Sequence, residues 1–168
     1  TTDEAWHKAG MENATEEETV AYIKDLYKDL LGDYPVITNR SIWRNFPMIR
    51  CETWVKDNVV ILGDCAHTAH FSIGSGTKLA MEDAIALFES CQIEADPRVA
   101  LQLYDKNRRD DVERIQHAVD VSLSWFEHVD RYWNMDATQF TFSLMSRSKA
   151  ITYDNLRLRD KEFVKAVD

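Results

Sequence analysis

The stretch DNVVILGDCAHTAHFSIGSGTKLAMEDAIAL, residues 57 to 87, runs from an apolar segment through a loop of small side chains into a helical pattern. Val59, Val60, Ile61 and Leu62 show no alternation, which predicts a strand buried on both faces, as in a parallel sheet under helices. The chain leaves that strand at Gly63-Asp64. Leu79, Ala80, Asp83, Ala84, Leu87 and Phe88 then recur at helical spacing, with the helix starting near Thr77. Ligands of open α/β sheets bind just beyond the carboxyl ends of strands, the place that Asp64 occupies.

Gly74 and Gly76 are two of the five glycines in the chain. Without side chains they let backbone N–H groups come close to a flat or anionic ligand, and they permit backbone angles closed to other residues. The helix that follows offers unpaired N–H groups and the positive end of its dipole, so an anion or an electron-rich ring is favoured there. Asp64 can accept hydrogen bonds from a polyol or ribose hydroxyl. The competing reading is that Asp64 caps the turn and the glycines only fold it, which for an isolated Gly-x-Gly is the better one.

The complete string GDCAHTAHFSIGSGTKLAMEDA resembles the second flavin-binding motif of the class A FAD-dependent aromatic hydroxylases, with matches at Gly63, Asp64, Ala66, His67, Gly74, Gly76, Asp83 and Ala84. Cys65, His70-Phe71, Ser75 and Lys78 depart from the commoner residues of that motif. The variant, together with NRSIWRNFPMI, SLSWFEHVDRYW and QFTFSLMSRSKAITYDNLRLRD, is similar to the branch acting on aromatic acyl-CoA thioesters, the salicylyl-CoA 5-hydroxylases and 2-aminobenzoyl-CoA monooxygenase/reductases. The resemblance covers nearly the whole chain. It implies FAD as cofactor, with Gly63 and Asp64 at its ribityl or adjoining part and the backbone of Gly74, Ser75, Gly76, Thr77 and Lys78 along the isoalloxazine ring. It also implies reduction of FAD by NADH or NADPH and transfer of one oxygen of O₂ to an activated aromatic ring, in a pocket that excludes water.

Members of that family open with a βαβ unit bearing Gly-x-Gly-x-x-Gly, where the FAD pyrophosphate meets a helix. Here the glycines are Gly10, Gly32, Gly63, Gly74 and Gly76, and no such triplet occurs. Thr1 opens a polar segment without an initiating methionine. The expectation is a C-terminal piece of a flavin monooxygenase, an α/β fragment of a Rossmann-like FAD-binding fold that is largely helical with a short sheet. Its partners are then an aromatic, CoA-linked substrate and the N-terminal FAD-binding portion of a parent chain. Alone it is expected to bind FAD weakly or not at all.

Outward from the motif, Thr15 precedes Glu18 by three residues in a capping-box pattern, and Val20, Ile23, Leu26, Tyr27, Leu30 and Leu31 carry a helix to Gly32. VITNRSIWRNFPMIRCETWVKD, residues 36–57, is rich in β-branched and aromatic residues and predicts one or two antiparallel strands turning near Arg44-Asn45. Asp96-Pro97 opens a long helix with Val99, Leu103, Tyr104, Val112, Ile115, Val119, Leu123 and Phe126 near one face. Trp125, Phe126, Tyr132 and Trp133 read first as core, and otherwise as a channel lining or a docking face. KNRRDDVER reads as a solvated charged face with pairs such as Asp110 with Arg114, its arginines alternatively holding CoA phosphates. The resulting division is 1–54, helix plus strands closing a substrate-binding domain; 55–92, the last strand, loop and helix of the FAD-binding domain; and 93–168, a helical C-terminal region.

His67 and His70 flank the loop and with Asp64 can be drawn as a metal site or proton relay. Without a further ligand they read instead as packed or backbone-bonded, and no metal is expected. Lys78 reads equally as a flavin contact or a solvated first-turn lysine. No Ser-His-Asp or Cys-His order marks a nucleophile, and the sequence singles out no catalytic base. A net charge of −9 over 168 residues argues against nucleic acid or an anionic membrane as the main partner, local arginines at 108, 109 and 114 notwithstanding. No apolar run reaches the length of a membrane span and TTDEAWHKAG lacks a secretory layout, so the cytoplasm is the default location. Cys51, Cys65 and Cys91 are expected to be reduced core thiols. The alternatives to an aromatic hydroxylase are a related flavoprotein with another substrate and a noncatalytic helical interaction module.

Overall fold

The computed structural model describes residues 1–168 as two compact units, Thr1–Phe46 and Pro47–Asp168. Its architecture is mostly helical, with one two-stranded sheet.

In the first unit, α1 (Asp3–Lys8) starts at Thr2, whose hydroxyl accepts from the Ala5 N–H at 3.1 Å. The capping box forms as its spacing predicts: Thr15 Oγ1 accepts from the Glu18 N–H, and the Glu18 carboxylate accepts from the Thr15 N–H at 2.8 Å. That box opens α2 (Glu16–Leu26), but the chain breaks at Tyr27 (φ −112°, ψ 22°) and resumes as α3 (Lys28–Leu31), so the expected single helix is two.

The strands expected in residues 36–54 do not form. Only an isolated bridge between Arg50 and His67 is present, and Ile37 is 89% exposed. The β propensity of this segment describes side chains that suit a pleated, half-buried surface, and no neighbouring strand supplies one. Pairing does occur nearby: β1 (Val55–Lys56) and β2 (Val59–Val60) make a short antiparallel hairpin, with Asp57 turning at φ 56°. The two-sided burial expected for Val59–Leu62 is absent. Val59 is 61% exposed and its neighbours are half-buried, because the pairing is a hairpin edge.

The second unit is organised by α4 (Gly76–Ile93) against α5 (Pro97–Glu127). The Asp96 carboxylate caps α5 by accepting from the Arg98 N–H at 2.9 Å, with Pro97 in the first turn. Trp54, Ala66, Leu79, Tyr104 and Val112 form the core where the hairpin, the loop and the two helices meet. The face of α5 that is buried differs from the expected stripe: Val99 and Phe126 are exposed, whereas Arg108, Gln116 and Ser122 are buried. Each of the three holds a partner, which is what allows a polar group to replace an apolar one inside. Accordingly, KNRRDDVER is not wholly a solvated face. Nor does Asp110 pair with Arg114, whose partner is Asp111 at 3.2 Å, one residue closer. The thiols are free, as expected, but Cys65 and Cys91 are exposed and Cys51 half-buried, so they are not core residues.

After a short 3₁₀ turn, α6 (Ala137–Ser146), α7 (Tyr153–Arg159) and α8 (Lys161–Val167) close the chain around Leu156 and Val164. Trp125 is buried against Tyr132, their rings stacked at 5.0 Å, and its indole N–H donates to Ser143 at 2.9 Å. The core reading thus holds for Trp125 with Tyr132, whereas Phe126 and Trp133 are exposed.

Leu79 touches both helices' shared core at 2% exposure. Leu79→Ala is expected to lower stability by ~2–5 kcal/mol through lost burial and an unfilled cavity, measured as a fall in the urea midpoint with an unchanged slope.

Candidate functional site

The loop between β2 and α4 is held from beneath by one carboxylate. Asp83 lies on the core side of α4 with 0% exposure. Its Oδ2 accepts from the Gly63 N–H at 2.9 Å and lies 2.7 Å from His67 Nε2, while Oδ1 accepts from Arg108 Nε at 3.1 Å. Burial pushes Asp83 up, but the bonds from His67, Gly63 and Arg108 outweigh it and hold the carboxyl below the usual carboxylate range. Arg108, itself 7% exposed, extends to Glu82 at 3.4 Å and Asp111 at 3.7 Å. Thus α4, α5 and the 63–67 turn are joined at a single charged point.

Gly63 meets this point through two constraints. It takes φ 59°, and a Cβ placed there would meet the Ala80 Cβ at 3.2 Å. Both the left-handed angle and the close approach to α4 require glycine. Gly63 is therefore buried with its N–H committed to Asp83, whereas the next residue, Asp64, is exposed. No side chain caps the 63–65 turn, so Asp64 does not serve as its cap. Gly74 takes φ 71°, and nothing lies within 4 Å of where its Cβ would stand. At Gly76 the nearest neighbour of such a Cβ is the Ala69 carbonyl oxygen at 3.9 Å.

The 18-residue helix α4 begins at Gly76 without any side-chain cap, because Ser75 makes no capping bond. Thr77 and Lys78 are exposed in its first turn, and the Lys78 ammonium pairs with Glu82 one turn on. Such pairing is what a solvated first-turn lysine does. His67 and His70 do not converge with Asp64 on a metal: His67 faces Asp83, and His70 Nδ1 accepts from the Ser72 N–H at 3.2 Å. Burial holds His70 below the ordinary histidine value, which favours the neutral ring.

A cavity of about 290 Å³ lies elsewhere, between Arg50, Trp54, His67, Arg109, Gln116 and Asp120. Of the loop residues singled out above, Ala66 and His67 line it, but Gly63, Asp64 and the Gly74, Ser75, Gly76, Thr77 and Lys78 run do not. Its arginines are spoken for, Arg50 by Asp120 and Arg109 by Asp105, each at 2.6 Å, so it lacks the net positive charge an anion site needs.

Residues 4–119 match the family described as an FAD binding domain. The chain belongs to this FAD binding domain family. It is 44% identical over 177 residues to a salicyloyl-CoA 5-hydroxylase of Streptomyces sp, covering 98% of this chain and 34% of that relative. Against a 3-hydroxy-4-methyl-anthranilyl-[aryl-carrier protein] 5-monooxygenase of Streptosporangium sibiricum it is 44% identical over 108 residues, 63% of this chain and 30% of the relative. Against a protodeoxyviolaceinate monooxygenase of Chromobacterium violaceum it is 26% identical over 150 residues, 89% of this chain and 40% of the relative. The chain spans between about a third and two fifths of the length of these relatives.

The exposed edge of the FAD binding domain suits a flat, electron-rich cofactor. An uncapped helix N-terminus supplies N–H donors, Gly74 leaves open space at van der Waals range, and Asp64 is exposed in the 63–65 turn that follows β2. Sequence reasoning placed those residues but missed the node beneath them. A signal was available: Asp83 and Arg108 both sit within the helical spacing of apolar core residues, between Leu79 and Leu87 and between Tyr104 and Val112. A charge in such a place calls for an opposite charge.

Asp83→Asn removes the charge that Arg108 and the Gly63 N–H face. The expected loss is ~3 kcal/mol, the low end for a broken buried pair because Glu82 and Asp111 still attend Arg108. With a folded value below the ordinary one, the carboxylate's contribution is full above the usual Asp range and is lost as pH falls through the folded value. The stability gap between wild type and Asp83→Asn, followed by thermal unfolding against pH, therefore narrows on acidification.

Proposed function

We propose that these 168 residues are part of an FAD-dependent monooxygenase that hydroxylates an aromatic ring, with NAD(P)H as electron donor and O₂ as oxidant. The observation that carries this reading is the exposed Asp64 and open glycine loop leading into the uncapped α4, in a member of the FAD binding domain family. When bound, the flavin supplies the oxygen-transfer chemistry; the residues of this chain orient it and hold its charge. Asp64 would accept hydrogen bonds from hydroxyls of the ribityl or adjoining part. The backbone of Gly74, Ser75, Gly76, Thr77 and Lys78 would lie along the ring, where the helix terminus stabilises negative charge. Gly63 contributes by shape, bringing Asp64 to the surface while its own N–H stays with Asp83.

The proposed substrate is an aromatic acyl thioester. The relative matched over 98% of this chain acts, by its name, on salicyloyl-CoA, and the one matched over 63% acts on a carrier-bound anthranilyl group. That coverage favours a CoA thioester over a carrier protein. The same reading divides the chain into 1–54 as the end of a substrate-binding domain, 55–92 as part of a Rossmann-like flavin domain and 93–168 as a helical C-terminal region. It also supplies a role for Met81, Ile85 and Phe88, exposed at i, i+4 and i+7 on α4: an apolar stripe for the remaining FAD-binding portion to pack upon. No helix is long and apolar enough to cross a membrane, and a cytoplasmic location belongs to this proposal.

The test is to express the full reading frame carrying these residues, record its flavin absorbance, and follow NADH and NADPH oxidation with benzoyl-type CoA thioesters and the free acids. Asp64→Ala is expected to weaken FAD binding by roughly tenfold or more while leaving the far-UV circular dichroism unchanged. Wild-type flavin content in that variant would remove Asp64 from the site. A colourless wild-type protein would overturn the reading itself.

A further inference from the structure

Arg147 closes α6, in the C-terminal region that the flavin motif does not include. Its guanidinium is half-buried and uses all three nitrogens. Nη1 donates to the Leu144 carbonyl at 2.6 Å, Nε donates to Ser122 Oγ at 3.1 Å, and Nη2 donates to the carbonyl of Ser72 at 2.7 Å. The Phe126 ring lies 5.1 Å from its Cζ. The last of those hydrogen bonds spans 75 residues of sequence and lands in the loop ahead of α4.

Ser72 is thereby held on both sides of its main chain. Its N–H is bonded to His70 Nδ1 and its carbonyl to Arg147. The Gly74 N–H closes the same turn by donating to the Phe71 carbonyl at 3.0 Å, with Gly74 at φ 71°. A charged donor to a carbonyl is shorter and stronger than a neutral one, and the rigid guanidinium spreads its donors over three nitrogens, whereas the three donors of a lysine ammonium share one. We propose that Arg147 is a positioning residue: from the C-terminal helices it fixes the main chain of residues 71–74, and with it the open face at Gly74 and the entry into α4. This rests on the flavin reading above for its functional meaning, but its structural content stands apart from it.

The competing account is that Arg147 only ties α5 to α6 through Ser122 and Leu144. Amide hydrogen exchange on the chain separates the two, comparing wild type with Arg147→Met, Arg147→Lys and Ser122→Ala. Arg147→Met is expected to speed exchange in peptides covering 70–76 by roughly tenfold to a hundredfold, while peptides around Val112 and Val119 keep their protection. Arg147→Lys should restore only part of that protection. Ser122→Ala, which removes the tie to α5 and leaves the Ser72 bond, should leave 70–76 near wild type. In the flavin-loaded protein, Arg147→Met is expected to shift the bound-flavin absorption band and weaken FAD binding by roughly tenfold. Unchanged exchange at 70–76 in Arg147→Met, loosening of the whole chain, or equal loosening by Ser122→Ala would each overturn the proposal. A wild-type protein that takes up no FAD sinks the flavin reading, while the exchange comparison still decides the role of Arg147.

Discussion

The junction of α4, α5 and the 63–67 turn is arranged around one carboxylate that water cannot reach. An isolated ionised Asp83 would be too costly to bury, and the structure answers with a backbone amide and an imidazole from the 63–67 turn and a guanidinium from α5. Buried ion pairs are weak evidence of stability, because desolvation consumes much of their attraction. What such a pair does supply is registry. A slip of α4 by one residue, or a turn of α5, would leave a charge in the core with nothing to face, and the apolar contacts of Leu79, Tyr104 and Val112 alone would not forbid it.

The same registry separates adjacent residues into opposite duties. Gly63 looks inward and fastens the turn; Asp64 is exposed. Farther along the loop, His70 and Arg147 grip the main chain of Ser72, so the segment is fixed at both ends by groups that do not themselves face the open surface. The exposed donors and open space at the start of α4 thus stand on a rigid base, the condition under which backbone amides can favour a developing negative charge without having to move.

Much of this was legible in the residue order. Helix starts with their own chemistry were plain, as at Thr15 with Glu18 and at Asp96-Pro97, because capping is local. The string from Gly63 to Ala84 likewise carried the resemblance to flavin hydroxylases, and the family match agrees. Harder to see was anything settled by partners distant in sequence. Apolar Val59–Leu62 suggested a strand enclosed on both sides, but burial depends on what lies across from it, and here only a two-residue neighbour does. VITNRSIWRNF had strand-like residues and no partner strand. Arg108 read as part of a solvated face, and Gln116 and Ser122 gave no core signal, because a hydropathy pattern records polarity without recording whether the polarity is answered. Arg147 had no local signal at all; its meaning lies in a carbonyl on another element.

The buried carboxylate also limits how the chain can change length. Its donors span residues 63 to 108, and each depends on a fixed helical rise or a fixed turn. Gain or loss of one residue within α4, or in α5 before Arg108, rotates a partner by about 100° away from Asp83, a consequence of 3.6 residues per turn. Length variation is thus confined to connectors whose ends can stay put, the Asp57-Asn58 hairpin tip and the Glu94–Asp96 link. For anyone grafting tags, reporters or new loops onto this fold, those two short exposed spans are the seams.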